Sequence, residues 1–192
     1  MTLIARLRII LNDVEPMPMR HIEVPLKSRL DRCMTLFRRP WAGPALSSTG
    51  SGWGMPDPDG FYDGPMDAKK MTLEKLVAET STRTIQYVYD FGDDWDHSIR
   101  IQRVGKAVRG MIYPRLLKAT GACPPEDIGD AWGYEEFLEA RADPDHEQHE
   151  DLVHWSGGDF NAEDAQADIN IEGFEWLAKK WSPRPRKPKA TI

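Results

Sequence analysis

Five side chains able to hold a metal or move a proton crowd one short stretch: Asp90, Asp93, Asp94, Asp96 and His97. Carboxylates beside an imidazole suit a divalent cation, and the same groups serve as general acid and base. Glu126 and Asp127 form a second group directly after Pro124-Pro125, where two fixed φ angles stiffen the backbone and suit a pre-organised carboxylate. The two groups form one site only if Glu126 or Asp127 converges on His97. With Tyr134, the candidate cluster is Asp90, Asp93, Asp94, His97, Glu126, Asp127 and Tyr134. Residue type alone assigns none of them a catalytic or metal-binding role.

Each group also has a structural reading. Asp accepts backbone hydrogen bonds in tight turns, which accounts for Asp93 and Asp94 after Gly92. Strand alternation puts His97 on a face with Trp95 and Ile99, while Asp94 and Asp96 point the other way. Glu126 and Asp127 also fit helix capping or a loop-anchoring ion pair. His146 and His149 stand at i, i+3 on a predicted helix, which is not the H-E-x-x-H spacing of a zinc protease. Cys123 reads as a small buried residue, and Cys33 and Cys123 make neither a C-x-x-C pair nor a disulfide framework. Trp53, Trp95, Trp132, Trp155 and the tyrosines could stack bases, but most are expected in the core. Gly50, Gly52 and Gly54 have no following Lys, so they make no phosphate loop.

The elements that must position these residues follow from periodicity. Leu3, Ala5, Leu7, Ile9 and Leu11 alternate with Arg6 and Arg8, predicting a strand with one buried face. Residues 20–24 predict a second strand ended by Pro25, pairing with the first as a hairpin. Leu26, Leu30, Cys33, Met34 and Phe37 share a helical face that Pro40 closes. Thr72 is set to cap a helix to Glu79. Ile85, Tyr87, Tyr89 and Phe91, then Trp95, His97, Ile99 and Ile101, predict a hairpin around Gly92-Asp93-Asp94. Residues 111–117 predict an edge strand because of Pro114. Tyr134, Phe137 and Leu138 begin a helix. Asp143-Pro144 is expected to open another toward Trp155, and Asn161 to cap the last, which carries Phe174, Leu177 and Trp181.

The composition bounds the answer. A chain of 192 residues that is 40% hydrophobic can bury one good core. Its formal net charge of -6 argues against bulk electrostatic attraction to nucleic acid, though not against a local basic patch. No apolar run approaches a bilayer span, and charge interrupts the first residues where a signal peptide is apolar. A cytoplasmic protein with no membrane partner is expected. The reading is one α+β domain over residues 1–182, of antiparallel hairpins packed against several short helices, with a disordered basic tail at residues 183–192.

Two long motifs carry a resemblance. Tyr87-Val88-Tyr89-Asp90-Phe91-Gly92-Asp93-Asp94-Trp95-Asp96-His97 resembles the hallmark hairpin of the plasmid pRiA4b ORF-3-like family. Cys123-Pro124-Pro125-Glu126-Asp127-Ile128-Gly129, followed by Gly133-Tyr134, resembles its second hallmark. Asp143-Pro144, His149 and Trp155 fit downstream, and residues 7–25 fit the N-terminal hairpin. The resemblance implies an α+β, MM3350-like fold, no cofactor and no established activity; members are passenger proteins of plasmids or insertion elements, some resolvase-like. Three function classes stand: a non-enzymatic accessory or interaction protein, a metal-dependent hydrolase or nuclease using His97, Glu126 and Asp127, and a nucleic-acid-binding module using Arg6, Arg8, Arg20 and the basic side chains of residues 184–189. The partner is then a protein or a nucleic acid.

One stretch departs from the family pattern. Where members carry a helix of the type L-H-x-x-I-Q-x-x-x-G-W, this chain reads Cys33-Met34-Thr35-Leu36-Phe37-Arg38-Arg39-Pro40-Trp41-Ala42-Gly43. A back-translation shifted by one nucleotide gives L-H-D-V-I-Q-A-A-M-G-W, with Met34 and Trp41 allowing a single codon each. Residues 33–52 therefore read as an out-of-frame or disordered segment, against the plainer alternative of a divergent loop; residues 40–65 are rich in Gly, Pro and Ser. Resequencing the source gene is expected to find compensating indels at the two ends of residues 33–52. An uninterrupted frame whose codons do not permit the shifted reading would discard the idea.

Overall fold

A computed structural model describes residues 2–29, 32–33, 70–79, 83–89, 92–165 and 167–181. Within them, five strands form one antiparallel sheet: β1 (Leu3–Leu11), β2 (Met19–Pro25), β3 (Thr84–Tyr89), β4 (Trp95–Lys106) and β5 (Arg115–Thr120). Their order is β3-β4-β1-β2-β5. The helices are α1 (Leu73–Glu79), α2 (Ala131–Ala142), α3 (His149–Trp155) and α4 (Ala167–Trp181).

Period-two alternation makes the sheet two-faced. In β1, Ala5, Leu7, Ile9 and Leu11 are buried while Arg6, Arg8 and Ile10 are half-buried. Register carries the division across the sheet. Leu7 pairs with Ile22 and Ile101, whereas Arg8 pairs with His21 and Arg100. Every strand residue of the two core clusters belongs to the Leu7 face. Leu73 and Leu76 of α1 and Phe174 and Leu177 of α4 close over its middle. Tyr134 and Phe137 of α2 meet Leu11 and Trp95 at one end. Full burial of such apolar side chains stabilises by about 1.5–3 kcal/mol each.

Local chemistry sets several element ends. Thr72 Oγ1 accepts from Lys75 N at 3.2 Å, the expected cap of α1. Asp130 Oδ1 accepts from Gly133 N at 2.9 Å, so α2 starts before Tyr134. The predicted strand at 111–117 is displaced to Arg115–Thr120, because Pro114 has no N–H for the ladder. It is nonetheless an edge strand. Asp143 does not open a helix: it ends α2, and its Oδ1 accepts from Asp145 N at 3.0 Å in a turn. The next helix waits until His149. Asn161 likewise makes a local turn, accepting from Glu163 N at 3.0 Å, ahead of α4. The helix expected to run from Leu26 does not start there, because Pro25 ends β2 in a turn rather than a cap. Residues 26–27 form that turn, Ser28 N donates to the Pro25 carbonyl at 2.9 Å, and Arg29 bridges Thr72. Residues 32–33 are helical, and Leu26 and Cys33 are both buried in the main core. Residues 30–31, residues 34–52 and the tail at 183–192 lie outside the described residues.

Arg20 is corrected outright. Expected to meet nucleic acid at the surface, it is 1% exposed, because it shares the core face of β2 with Ile22 and Val24. Its Nη1 donates to the carbonyls of Met19, Thr120 and Gly121 at 3.0, 2.8 and 3.0 Å, and its Nη2 to Cys123 Sγ at 3.2 Å. Burial lowers its pKa, opposed by Cys123, yet an arginine stays charged. The planar fork thus ties β2 to the end of β5 and the loop beyond. Lysine keeps the charge and loses the fork, so Arg20→Lys is expected to cost about 3 kcal/mol. That lowers Tm by roughly 6–12 °C in a chain of this size; an unchanged thermal unfolding curve would mean that the clamp is dispensable.

Candidate functional site

The first hallmark lies at the end of the sheet where three segments meet. These are the turn after β1, the turn between β3 and β4, and the start of α2. Asp13 and Asp94 adopt left-handed backbone, with φ of 60° and 52°, a conformation that Asp tolerates better than most residues. Asp13, Asp93, Asp94, Asp96 and Asp130 line a hollow of about 210 Å³ together with Trp132. It adjoins a hollow of about 510 Å³ lined by Glu15, Met17, Tyr134 and Glu135; both share Asn12, Asp13, Asp96 and Ala131. Asn12 Nδ2 bridges the segments, donating to Asp96 Oδ2 at 2.8 Å and Ser98 Oγ at 3.0 Å. The result is an acid-lined groove.

His97 is on the other side of the strand from Asp96. It is 4% exposed, with Nδ1 2.9 Å from the Trp95 carbonyl. Asp90 lies outside the described residues. The structure thus gathers Asp93 and Asp94 with Asp13, Asp96 and Asp130, while Tyr134 joins the neighbouring hollow.

The second hallmark begins beside the buried Arg20: Cys123 is half-buried there, whereas Glu126 and Asp127 are exposed. Burial, with a smaller contribution from Glu126, pushes the Cys123 thiol up to about 12 against the opposing pull of Arg20. Burial also pushes the Tyr134 phenol up to about 12, aided by Cys123 and Glu163. Glu126 therefore acts on Cys123, and Cys123 in turn on Tyr134. The Tyr134 hydroxyl has no hydrogen-bond partner among the described residues, and its ring packs near Phe137 and Phe160. Asp127 supplies another left-handed turn, with φ of 61°. Gly133 is required by close approach: a Cβ there would lie 2.6 Å from the Ile128 carbonyl oxygen. The glycine of the Gly133-Tyr134 pair thus lets the hallmark loop close onto α2.

Comparison with known proteins places both hallmarks in context. The family described as Plasmid pRiA4b ORF-3-like protein matches residues 46–169. The chain belongs to that family. A relative from Sinorhizobium fredii (strain NBRC 101917 / NGR234), named Uncharacterized protein y4hQ, is 40% identical over 190 residues, covering 96% of this chain and 97% of the relative. The crystal structure of MM3350, a protein of unknown function from Methanosarcina mazei Go1, superposes with a TM-score of 0.68 at 27% identity, covering 86% of this chain and 97% of that one. The α+β, MM3350-like fold expected from the pRiA4b ORF-3-like motifs is therefore present.

The remaining expectations divide. Of the two histidines predicted on one helix face, only His149 is helical. Its Nδ1 is 2.9 Å from the Ala140 carbonyl, while His146 Nδ1 accepts from Gln148 N at 3.2 Å. Among the described residues no group of three or more His, Cys, Asp and Glu side chains is placed to hold a metal ion. Of the aromatics expected mostly in the core, Trp95 and Tyr134 are buried, Trp132 and Trp155 are exposed, and Trp53 lies outside the described residues. Trp132 instead donates Nε1 to Glu136 at 2.8 Å.

Residue-by-residue reading missed Arg20 and Arg141. Alternation with Ile22 and Val24 was the available signal for Arg20. Nothing local marks Arg141, whose guanidinium bonds Ser156 Oγ and the Gly158 and Phe160 carbonyls and lies over the Phe137 and Phe160 rings.

A thiol held near 12 is protonated at neutral pH and unreactive. Alkylation of Cys123 by iodoacetamide at pH 8, followed on its own peptide by mass spectrometry, is expected to run at least a hundredfold slower than for a free thiol of pKa about 8.5. The rate should rise about tenfold per pH unit beyond pH 9, since the raised pKa leaves thiolate scarce until far higher pH. A plateau reached by pH 9 would contradict this environment.

Proposed function

We propose that this pRiA4b ORF-3-like chain is a non-enzymatic accessory or interaction protein of plasmids or insertion elements, working through its surface. The observation that supports this most is how the fold uses the hallmark side chains and the two polar residues beside them, Asn12 and Asp130. Asp130 caps α2, Asp94 and Asp127 hold left-handed turns, Asn12 ties up Asp96, and His97 and Tyr134 are buried. At neutral pH the raised values of Cys123 and Tyr134 leave both neutral, so neither supplies a ready nucleophile or base. The relatives' names assign no reaction. The proposed frame shift at residues 33–52 is compatible with this role, because none of these hallmark residues lies in that segment.

The competing reading is a metal-dependent hydrolase using His97, Glu126 and Asp127. Thermal unfolding with millimolar Mg²⁺, Mn²⁺ and Zn²⁺ separates the two. A metal at a hundred times its Kd stabilises by about 2.7 kcal/mol, which raises Tm by roughly 5–10 °C here. No rise is expected. A rise that disappears in Glu126→Gln or Asp127→Asn would put a metal on the second hallmark and overturn the non-enzymatic reading.

A further inference from the structure

The face of the sheet opposite the core is strongly cationic in a chain of net charge -6. Register sets its side chains in rows across the strands. One row runs Arg100 of β4, Arg8 of β1, His21 of β2 and Lys118 of β5. The next runs Arg103, Arg6, Glu23 and Arg115. Glu23 is the only carboxylate in either row, and it is already engaged by two arginines: Arg6 Nη2 at 2.8 Å and Arg115 Nε at 2.8 Å. Arg100, Arg103 and Lys118 are exposed.

This arrangement works against stability. Like charges directly opposite on neighbouring strands destabilise a sheet, by something like 0.2–1 kcal/mol a pair. Arg8 faces Arg100 and Arg6 faces Arg103, while His21 stands between Arg8 and Lys118, which disfavour its charged form. A face shaped by stability alone would alternate signs. The repulsion is relieved when an anion lies across the rows.

We infer that this open face binds duplex nucleic acid through its phosphates. Strands about 4.8 Å apart spread the first row over about 14 Å, close to the roughly 12 Å width of a major groove. Among the described strand residues the rows carry no aromatic side chain, and the Tyr113 ring beside them is covered by the Arg115 guanidinium 5.8 Å from its centre, so the face offers a poor stacking platform for the splayed bases of a single strand. It has few apolar side chains to embed in a lipid surface. The surface rests on the interaction reading above and gives it a partner class. It replaces the buried Arg20 with Arg100, Arg103, Lys118 and Arg115. His21 adds a reporter: burial first, then Arg8, Lys118 and Arg6, lower its pKa. Phosphates lying over Arg8, Arg6, Lys118 and the neighbouring Glu23 would raise it again.

The test uses full-length protein and a fluorescent DNA duplex, with anisotropy read across a KCl series and the same samples run on a gel. The wild type is expected to bind with a steep salt slope. The triple variant Arg100→Gln, Arg103→Gln, Lys118→Gln should bind at least tenfold more weakly. Its slope should be shallower by about 2.7, since each phosphate left without its cation removes about 0.9. Its Tm should be unchanged or higher, because like-charge pairs are removed. The pKa of His21, followed by NMR, should rise on adding duplex. The surface is overturned by no binding at low salt, by an unchanged slope in the triple variant, or by equal binding of polyglutamate or phosphatidylserine vesicles. It is also overturned if neutralising Arg184, Arg186, Lys187 and Lys189 removes all binding. An intact probe that fails to bind leaves the accessory role standing, whereas a cleaved probe overturns the non-enzymatic reading and leaves the surface to be judged by the slope.

Discussion

A positive charge sealed inside the sheet constrains much of this structure. An isolated guanidinium taken from water is very costly to bury, so the backbone around Arg20 must offer it acceptors. Four carbonyls and one sulfur do so, drawn from β2, the end of β5, the loop beyond and Ala165 ahead of α4. That geometry leaves β5 little freedom to slide or leave the edge of the sheet. It also sets where the chain turns next. Gly121 has φ of 67°, and a Cβ there would lie 3.1 Å from Pro18 Cα, so only a glycine passes this close to the start of β2. From that turn the chain runs directly into Cys123 and the second hallmark, and then into α2. The buried arginine and the loop motif are therefore parts of one arrangement.

The sheet was largely legible in the sequence because alternation is a local signal. Ala5, Leu7, Ile9 and Leu11 announce the buried face in β1, and Ile85, Ile99 and Ile101 announce it in β3 and β4. What alternation does not reveal is which polar residue will be carried inward with its apolar neighbours. Arg20 follows the period of Ile22 and Val24, but residue type argued for the surface, and residue type was followed. Loop-rich regions were less legible for a different reason. Asp143 and Asn161 are equally good in turns and at helix starts, since both uses rely on the same side-chain-to-backbone hydrogen bond. Tertiary packing decides between them. Trp132 misleads in the same way: its size suggests core, yet it projects from the first turn of α2, where Glu136 one turn later accepts its N–H.

The hallmark cluster was legible in part. Turn chemistry explains Asp94 and Asp127, and alternation separates His97 from Asp96. The groove was not legible, because it exists only when the turn after β1 comes alongside the turn before β4 and the cap of α2. Asp13 and Asp130 lie 117 positions apart and line one hollow. The cationic rows were hidden for a related reason. Arg6 and Arg8 are visible as alternating charges, but nothing local says that Arg103 and Arg100 will stand opposite them or that Lys118 will extend the row.

These two charge patterns meet along one line of the sheet. Asp96, paired with Val88 and bonded to Asn12, sits on the cationic face at its last row before the acid-lined groove. The molecule is therefore polarised, with carboxylates gathered at one end and guanidinium groups spread over the adjoining face. Net charge alone would predict that a polyanion is repelled. Within about a Debye length, 8–10 Å at moderate salt, the local arrangement matters more than the sum. The acidic end turns away from a line of phosphates while the rows turn toward it, so the field orients the protein before contact. The carboxylates that oppose association at long range thereby help choose which face arrives, and an acidic protein can keep a nucleic-acid surface without binding indiscriminately.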